Sequence, residues 1–168
     1  MSVILPYDVI AAKSPYLKQM VDAFEDTGGN IIAAMEVPHD QTSRYGILDV
    51  VPGNGPMNAV RAMVEKPAIG TAPSNLAVIG RYILTTNILR NLSRTRIGSE
   101  VQLTDAVSDE IAVSDNVYSF RFDGQRFDCG TKNGFLQTTV AFALERADLR
   151  DDLNSYLHKV ITTRTAAE

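Results

Sequence analysis

A nearly continuous apolar run at residues 76–84 constrains the fold of this chain more than any other feature. The run reads Leu-Ala-Val-Ile-Gly-Arg-Tyr-Ile-Leu. Strands with so few polar positions are typical of sheets that are covered on both faces. The run therefore predicts a central strand of a layered fold.

Strand-like and helix-like patterns alternate along the rest of the chain. Strands are predicted at 3–5, 30–37, 45–51, 60–64 and 117–122, and helices at 16–26, 86–92, 102–113, 132–146 and 152–162. The cluster Pro52–Pro56 predicts a hairpin, and Asp123-Gly124 predicts a second one whose return strand starts near Arg126. Ser14 is the expected N-cap of the first helix, and Gly28-Gly29 its end. This alternation predicts an α/β fold with a mixed sheet.

Composition narrows the class of protein. With 168 residues, of which 45% are hydrophobic, the chain is expected to form a single domain over 1–168, with residues 163–168 as a frayed tail. A net charge of −4 argues against a nucleic-acid partner, and the single cysteine, Cys129, excludes an internal disulfide. We expect a cytoplasmic protein without a membrane partner, because the sequence shows neither a membrane-spanning run nor a secretory signal.

The first polar motif, Glu65-Lys66-Pro67, directly follows a predicted strand. An ordinary surface ion pair is the simpler interpretation of Glu next to Lys. Pro67 disfavours the α region for Lys66, so we expect both charged side chains on an extended backbone that points away from the strand end. There the Glu65 carboxylate can accept hydrogen bonds from sugar hydroxyl groups, while the Lys66 ammonium pairs with phosphate oxygens.

The second polar motif is Asp-Cys-Gly-Thr-Lys at residues 128–132. Asp128 can make an Asx-type turn or a helix cap, or it can be an oxygen ligand for Mg²⁺, which takes one or two carboxylates together with substrate phosphate. Asp8, just past the first strand, is the candidate for a second carboxylate, although a turn residue is its simpler interpretation. Gly46 is either a strand entry or a backbone contact for a ligand ring.

Six segments occur together in an order that resembles bacterial UTP–glucose-1-phosphate uridylyltransferases, and the resemblance spans almost the entire chain. They are Leu5-Pro6-x-Asp8, Arg44-Tyr45-Gly46-Ile47, Val64-Glu65-Lys66-Pro67, Pro-Ser-Asn-Leu-Ala-Val-Ile-Gly-Arg-Tyr at 73–82, Glu-Val-Gln-Leu-Thr-Asp-Ala at 100–106 and Phe-Asp-Cys-Gly-Thr-Lys at 127–132.

The resemblance implies a Rossmann-like nucleotidyltransferase fold, a mixed sheet flanked by helices, which in this chain is incomplete at the N-terminus. It also implies the conversion of UTP and glucose 1-phosphate into UDP-glucose and pyrophosphate, with Mg²⁺ as cofactor. Glu65 would bind glucose hydroxyls, Lys66 would neutralise the sugar phosphate, and Gly46 would offer its backbone to the sugar. Asp128 would be a magnesium ligand, and Lys132 would lie near the phosphates.

Two departures from this family bear on function. The N-terminal part that grips UTP through a glycine-rich loop is missing, so we expect the chain alone to be inactive and UTP to bind through the missing part. Tyr7 stands where the family usually has a metal-binding Asp, and in an extended backbone Asp8 points to the opposite side.

Other functions stay open from the sequence. The chain can instead be a non-catalytic module for sugar-phosphate binding or oligomerisation, or a fragment of a related thymidylyl- or adenylyltransferase. Since a sheet without its first strands exposes an apolar edge, we expect a homo-oligomer.

Overall fold

The structure, a computed structural model, describes residues 1–93 and 103–165. The chain divides into two compact units. Unit 1 comprises Met1–Leu5 and Ala12–Gly124, and unit 2 comprises Pro6–Ala11 and Gln125–Glu168. The single domain expected over 1–168 stays a prediction.

Strands and helices follow one another much as the sequence predicts. In chain order they are β1 (Ser2–Ile4), β2 (Asp8–Ala11), α1 (Tyr16–Thr27), β3 (Asn30–Glu36), a 3₁₀ helix (His39–Arg44), β4 (Gly46–Val50), β5 (Met57–Glu65), β6 (Leu76–Ile83), α2 (Thr86–Ser93), α3 (Leu103–Val113), β7 (Val117–Arg121), β8 (Gln125–Asp128), α4 (Lys132–Glu145) and α5 (Arg150–Thr165). Gln102, the predicted start of the third helix, lies outside the described residues.

Unit 1 is built on a mixed sheet with the strand order β1-β6-β3-β7-β5-β4. Strands β3 and β7 run parallel, and the other neighbours in this order are antiparallel. The predicted mixed sheet is thereby confirmed, as is the hairpin that joins β4 to β5.

The apolar run at residues 76–84 forms β6, which pairs with β1 on one side and β3 on the other. Most of its side chains, pointing to alternate faces, are buried: Leu76, Ala77, Val78, Ile79, Tyr82 and Ile83. The prediction of an interior strand covered on both faces is therefore confirmed.

Helix α1 begins at Tyr16, as predicted, but Ser14 is not its N-cap. Pro15 occupies the N-cap position without a side-chain hydrogen bond, and the Ser14 carbonyl accepts a bond from Gln19. The prediction of Ser14 as the cap was wrong because Pro15, with a non-helical ψ of 129°, is itself the last residue before the helix. The predicted end is correct, since Gly28 takes the left-handed conformation and its N–H reaches Phe24 O at 2.7 Å.

The second predicted hairpin does not form. Strand β7 pairs with β3 and β5 inside the sheet of unit 1, so both of its edges are occupied. Strand β8 pairs instead with β2, and these two strands make a separate antiparallel ladder in unit 2. The turn at Asp123-Gly124 was read correctly as a chain reversal, but turn residues do not specify which strand becomes the partner.

The C-terminal helix is longer than predicted. Helix α5 continues to Thr165, beyond the point where the tail at 163–168 was expected to fray, and residues 166–168 lie outside the described residues. Across 1–93 and 103–165, none of the helices combines the length and apolar character that a bilayer crossing requires.

Candidate functional site

The β4–β5 hairpin places two predicted sugar-binding residues opposite each other. Gly46 is the first residue of β4 and Glu65 the last of β5, and they are paired in the antiparallel register. A Cβ atom on residue 46 would lie 3.0 Å from Glu65 Oε2, closer than side chains normally approach. Glycine at position 46 therefore gives the Glu65 carboxylate room above the backbone of β4.

Three groups surround the Glu65 carboxylate within unit 1. Thr104 Oγ1 donates to Oε2 at 3.3 Å, Lys66 Nζ lies 3.8 Å from Oε1, and Gly46 lies beneath Oε2. The Glu65 side chain keeps 42% of its surface exposed, and that of Lys66 keeps 66%. One carboxylate oxygen thus accepts from Thr104, while the other lies beside an ammonium group.

The backbone of Lys66 differs from the sequence-based expectation. Its φ is +42°, which is left-handed and not extended. Proline at 67 disfavours the right-handed α region but leaves this region open, and the Lys66 N–H is fixed by a 3.1 Å bond to Tyr45 O. A non-glycine residue here costs about 1–2 kcal/mol, and such strained residues cluster at functional sites.

Tyr82 on β6 has a buried phenol that interacts electrostatically with the Glu65 carboxylate. It is 6% exposed, and burial, followed by the negative charge of Glu65, raises the pKa of Tyr82 to about 12. The phenol is therefore protonated and neutral at physiological pH.

Sequence reasoning missed Thr104 and Tyr82 as members of this cluster. Both lie in segments, 100–106 and 73–82, that served only to establish the resemblance, and residues 100–102 lie outside the described residues. The available signal was that Thr104 is a polar residue on the same side of α3 as the buried Val107.

The predicted metal ligands lie in unit 2, where Asp8 and Asp128 are directly opposite in the β2–β8 ladder. Arg126 Nε donates to Asp8 Oδ1 at 2.6 Å, and the two side chains are only 13% and 9% exposed, for Arg126 and Asp8 respectively. A carboxylate in such a buried pair is already neutralised, which weighs against the predicted role of Asp8 as a magnesium ligand.

Asp128 makes the turn that the sequence left open as its alternative role. Its Oδ1 accepts from the N–H of Gly130 at 3.0 Å, and its carbonyl accepts from Thr131 Oγ1 at 3.2 Å. Thr131 in turn caps α4 by accepting from Gly134 N at 3.1 Å. Lys132, the first residue of α4, is exposed and belongs to the wall of an open pocket of about 450 Å³, which is lined by Cys129, Gly130, Thr131, Lys132, Phe135 and Leu136.

The predicted Mg²⁺ site stays a prediction for the part of the chain that the structure describes. No group of three or more His, Cys, Asp or Glu side chains that could hold a metal ion occurs in the part of the chain that the structure describes. The backbone carbonyl of Tyr7 accepts a bond from Cys129 N at 2.7 Å. Of the two predicted ligands, Asp128 stays the candidate for an ion that takes its remaining ligands from water and phosphate.

The predicted site residues therefore form two sets. Gly46, Glu65 and Lys66 are adjacent in unit 1, and Asp8, Asp128 and Lys132 belong to unit 2.

Comparison with known proteins gives a consistent result. The family described as Nucleotidyl transferase matches residues 1–144. The UTP–glucose-1-phosphate uridylyltransferase of Staphylococcus epidermidis is 40% identical over 161 residues, which cover 95% of this chain and 56% of the relative. A solved UDP-glucose pyrophosphorylase complexed with UDP-glucose is 36% identical with a TM-score of 0.79, covering 86% of this chain and 56% of that one. A UTP-bound UGPase from Acinetobacter baumannii is 34% identical with a TM-score of 0.83, covering 94% and 55%.

The chain thus spans little more than half the length of the relatives it matches. The mixed sheet with flanking helices is the α/β nucleotidyltransferase fold of these structures. On the match over residues 1–144 and these identities, the chain belongs to the nucleotidyl transferase family.

Proposed function

We propose that this chain supplies the glucose 1-phosphate site of a UTP–glucose-1-phosphate uridylyltransferase. The observation that carries the proposal is the cluster at the end of β5, where the strained Lys66 and the carboxylate of Glu65 meet Gly46. The relatives that bear this name support the choice of substrates, which are UTP and glucose 1-phosphate.

The proposed reaction is an in-line displacement. An oxygen of the glucose 1-phosphate attacks the α-phosphorus of UTP, the new P–O bond makes UDP-glucose, and the bond between the α-phosphorus and the bridging oxygen breaks to release pyrophosphate. Positioning and charge neutralisation carry such a step, and no covalent enzyme intermediate is required.

Each residue of the cluster has a role in this proposal. Glu65 accepts hydrogen bonds from the glucose hydroxyl groups through Oε1, and Lys66 pairs with the sugar phosphate as a cation on a flexible stem. The close pairing of Gly46 with Glu65 leaves the space in which the sugar ring can approach the backbone.

The proposal also includes Mg²⁺ and Lys132. Asp128 would hold the ion through Oδ2, and the ion would supply charge neutralisation for the phosphates. Lys132 is exposed at the start of α4, as a residue that contacts phosphate must be.

Titration calorimetry with glucose 1-phosphate tests the sugar site. We expect the chain to bind, and Glu65→Gln and Lys66→Met to weaken binding at least about tenfold, equivalent to about 1.4 kcal/mol. Lys159→Met, at an exposed position of α5, is the control and should bind like the unchanged chain. Unchanged affinity in both site variants would refute the assignment.

A second assay tests the expectation that the chain alone is inactive. Purified chain with UTP, glucose 1-phosphate and Mg²⁺ should release no pyrophosphate above the protein-free rate. Robust turnover would show that the remaining length of the relatives is dispensable.

A further inference from the structure

One oxygen of the Glu65 carboxylate, Oε2, is held by a hydrogen bond from α3. Thr104 Oγ1 donates to Oε2 at 3.3 Å, and the backbone of Gly46 lies near the same oxygen with no side chain between them. The other oxygen, Oε1, lies beside Lys66 Nζ at 3.8 Å. The two oxygens of one carboxylate therefore have different surroundings.

Thr104 reaches Glu65 because α3 packs against β5. It lies in the first turn of α3, one helical turn before Val107, which is fully buried in the core. Valine would serve packing equally well at such a position, since it has the same shape without the hydroxyl. The hydroxyl is the part of Thr104 that contacts the carboxylate.

Glu65 needs such an anchor because its side chain is 42% exposed at the end of a strand. A glutamate side chain with several rotatable bonds loses conformational entropy when it is fixed. An anchor that fixes it before the sugar arrives removes part of this cost from binding.

We propose that Thr104 is a positioning residue that holds Glu65 Oε2, so that Oε1 is presented to the hydroxyl groups of a sugar phosphate. This inference rests on the proposed function and adds to the sugar site a residue from α3. Thr104 acts through Glu65 and does not itself touch the sugar.

Calorimetry with glucose 1-phosphate on the full chain tests the inference. The bond of 3.3 Å is longer than a typical hydroxyl bond, so we expect Thr104→Val to weaken binding only about fivefold, equivalent to about 1 kcal/mol. Thr104→Ser keeps the hydroxyl and should bind within about twofold of the unchanged chain, which is under about 0.5 kcal/mol. Thr139→Val is the control, because the Thr139 hydroxyl bonds only within α4, to Phe135 O, among the contacts described for it.

The possible outcomes separate the two proposals. Equal affinity of Thr104→Val and the unchanged chain overturns the inference alone, and so does equal weakening by valine and serine, which would indicate a packing role. Absence of binding by the unchanged chain overturns the proposed function and this inference with it. Should Thr104→Val lose its circular dichroism spectrum, Thr104→Ala takes its place with the same expected weakening.

Discussion

Replacing Lys66 by glycine should stabilise the fold while it removes the proposed phosphate contact. The φ of +42° costs a residue with a Cβ atom about 1–2 kcal/mol, and glycine does not pay that cost. Glycine also lowers the free energy of the unfolded chain by about 0.5–1 kcal/mol, because it has more conformational freedom there, and this offsets part of the stabilisation. Lys66→Gly should therefore be more stable than Lys66→Ala by about 0.5–1 kcal/mol.

The comparison of glycine with alanine isolates the backbone. Both variants lose the ammonium group and its contact with Glu65, so this loss cancels between them. Position 159 provides the matched control, since Lys159 is exposed within α5 and Lys159→Gly should be less stable than Lys159→Ala by about 1 kcal/mol. The effect of glycine should thus change sign between positions 66 and 159.

Urea unfolding followed by circular dichroism measures these differences through the midpoint at constant m-value. Both Lys66 variants should also lose affinity for glucose 1-phosphate, whatever their stability. If glycine is less stable than alanine at position 66, as at position 159, the argument for backbone strain at this site is refuted.

Two further changes test the surroundings of the two residue sets. Gly134→Ala should destabilise the chain by about 2 kcal/mol or more, measured by urea unfolding, because the new Cβ would lie 1.9 Å from Asp128 O, a backbone atom that cannot move freely; an alanine variant as stable as the unchanged chain would contradict this. Burial raises the Tyr82 pKa from 10.0 to about 12, so the unfolded chain loses the phenol proton at a lower pH than the folded chain does. The free energy of unfolding that this group contributes below pH 10 should therefore decrease as the pH rises toward 12. Tyr82→Phe should show a shallower fall over the same pH range in thermal unfolding, and an identical slope would count against the buried phenol.

The strands and helices could be predicted because their signals are local. The apolar run that became β6 and the turn cluster between β4 and β5 gave interior burial and a hairpin from neighbouring residues alone. The partner of β8 could not be predicted in this way, because β2 is distant in sequence and only tertiary packing selects it. The left-handed Lys66 was missed for a similar reason, since its N–H is held by the carbonyl of Tyr45, the residue just before β4.

The same distinction between local signals and tertiary packing applies to the candidate site. Gly46, Glu65 and Lys66 were predicted from short motifs and the resemblance, and the hairpin register explains why the first two lie opposite each other. Thr104 was not identified, because only the packing of α3 on β5 brings its hydroxyl to Glu65. The ion pair of Asp8 with Arg126 likewise depends on the unpredicted β2–β8 ladder.

An amide-resolved NMR titration of the chain with glucose 1-phosphate tests the account most directly. The account predicts that the largest saturable shift changes occur at the amides of Gly46, Glu65, Lys66 and Thr104, and that Glu65→Gln abolishes them at the same ligand concentration. Saturable changes elsewhere in the chain with none at these four amides would contradict the claim that the end of β5 binds the sugar phosphate.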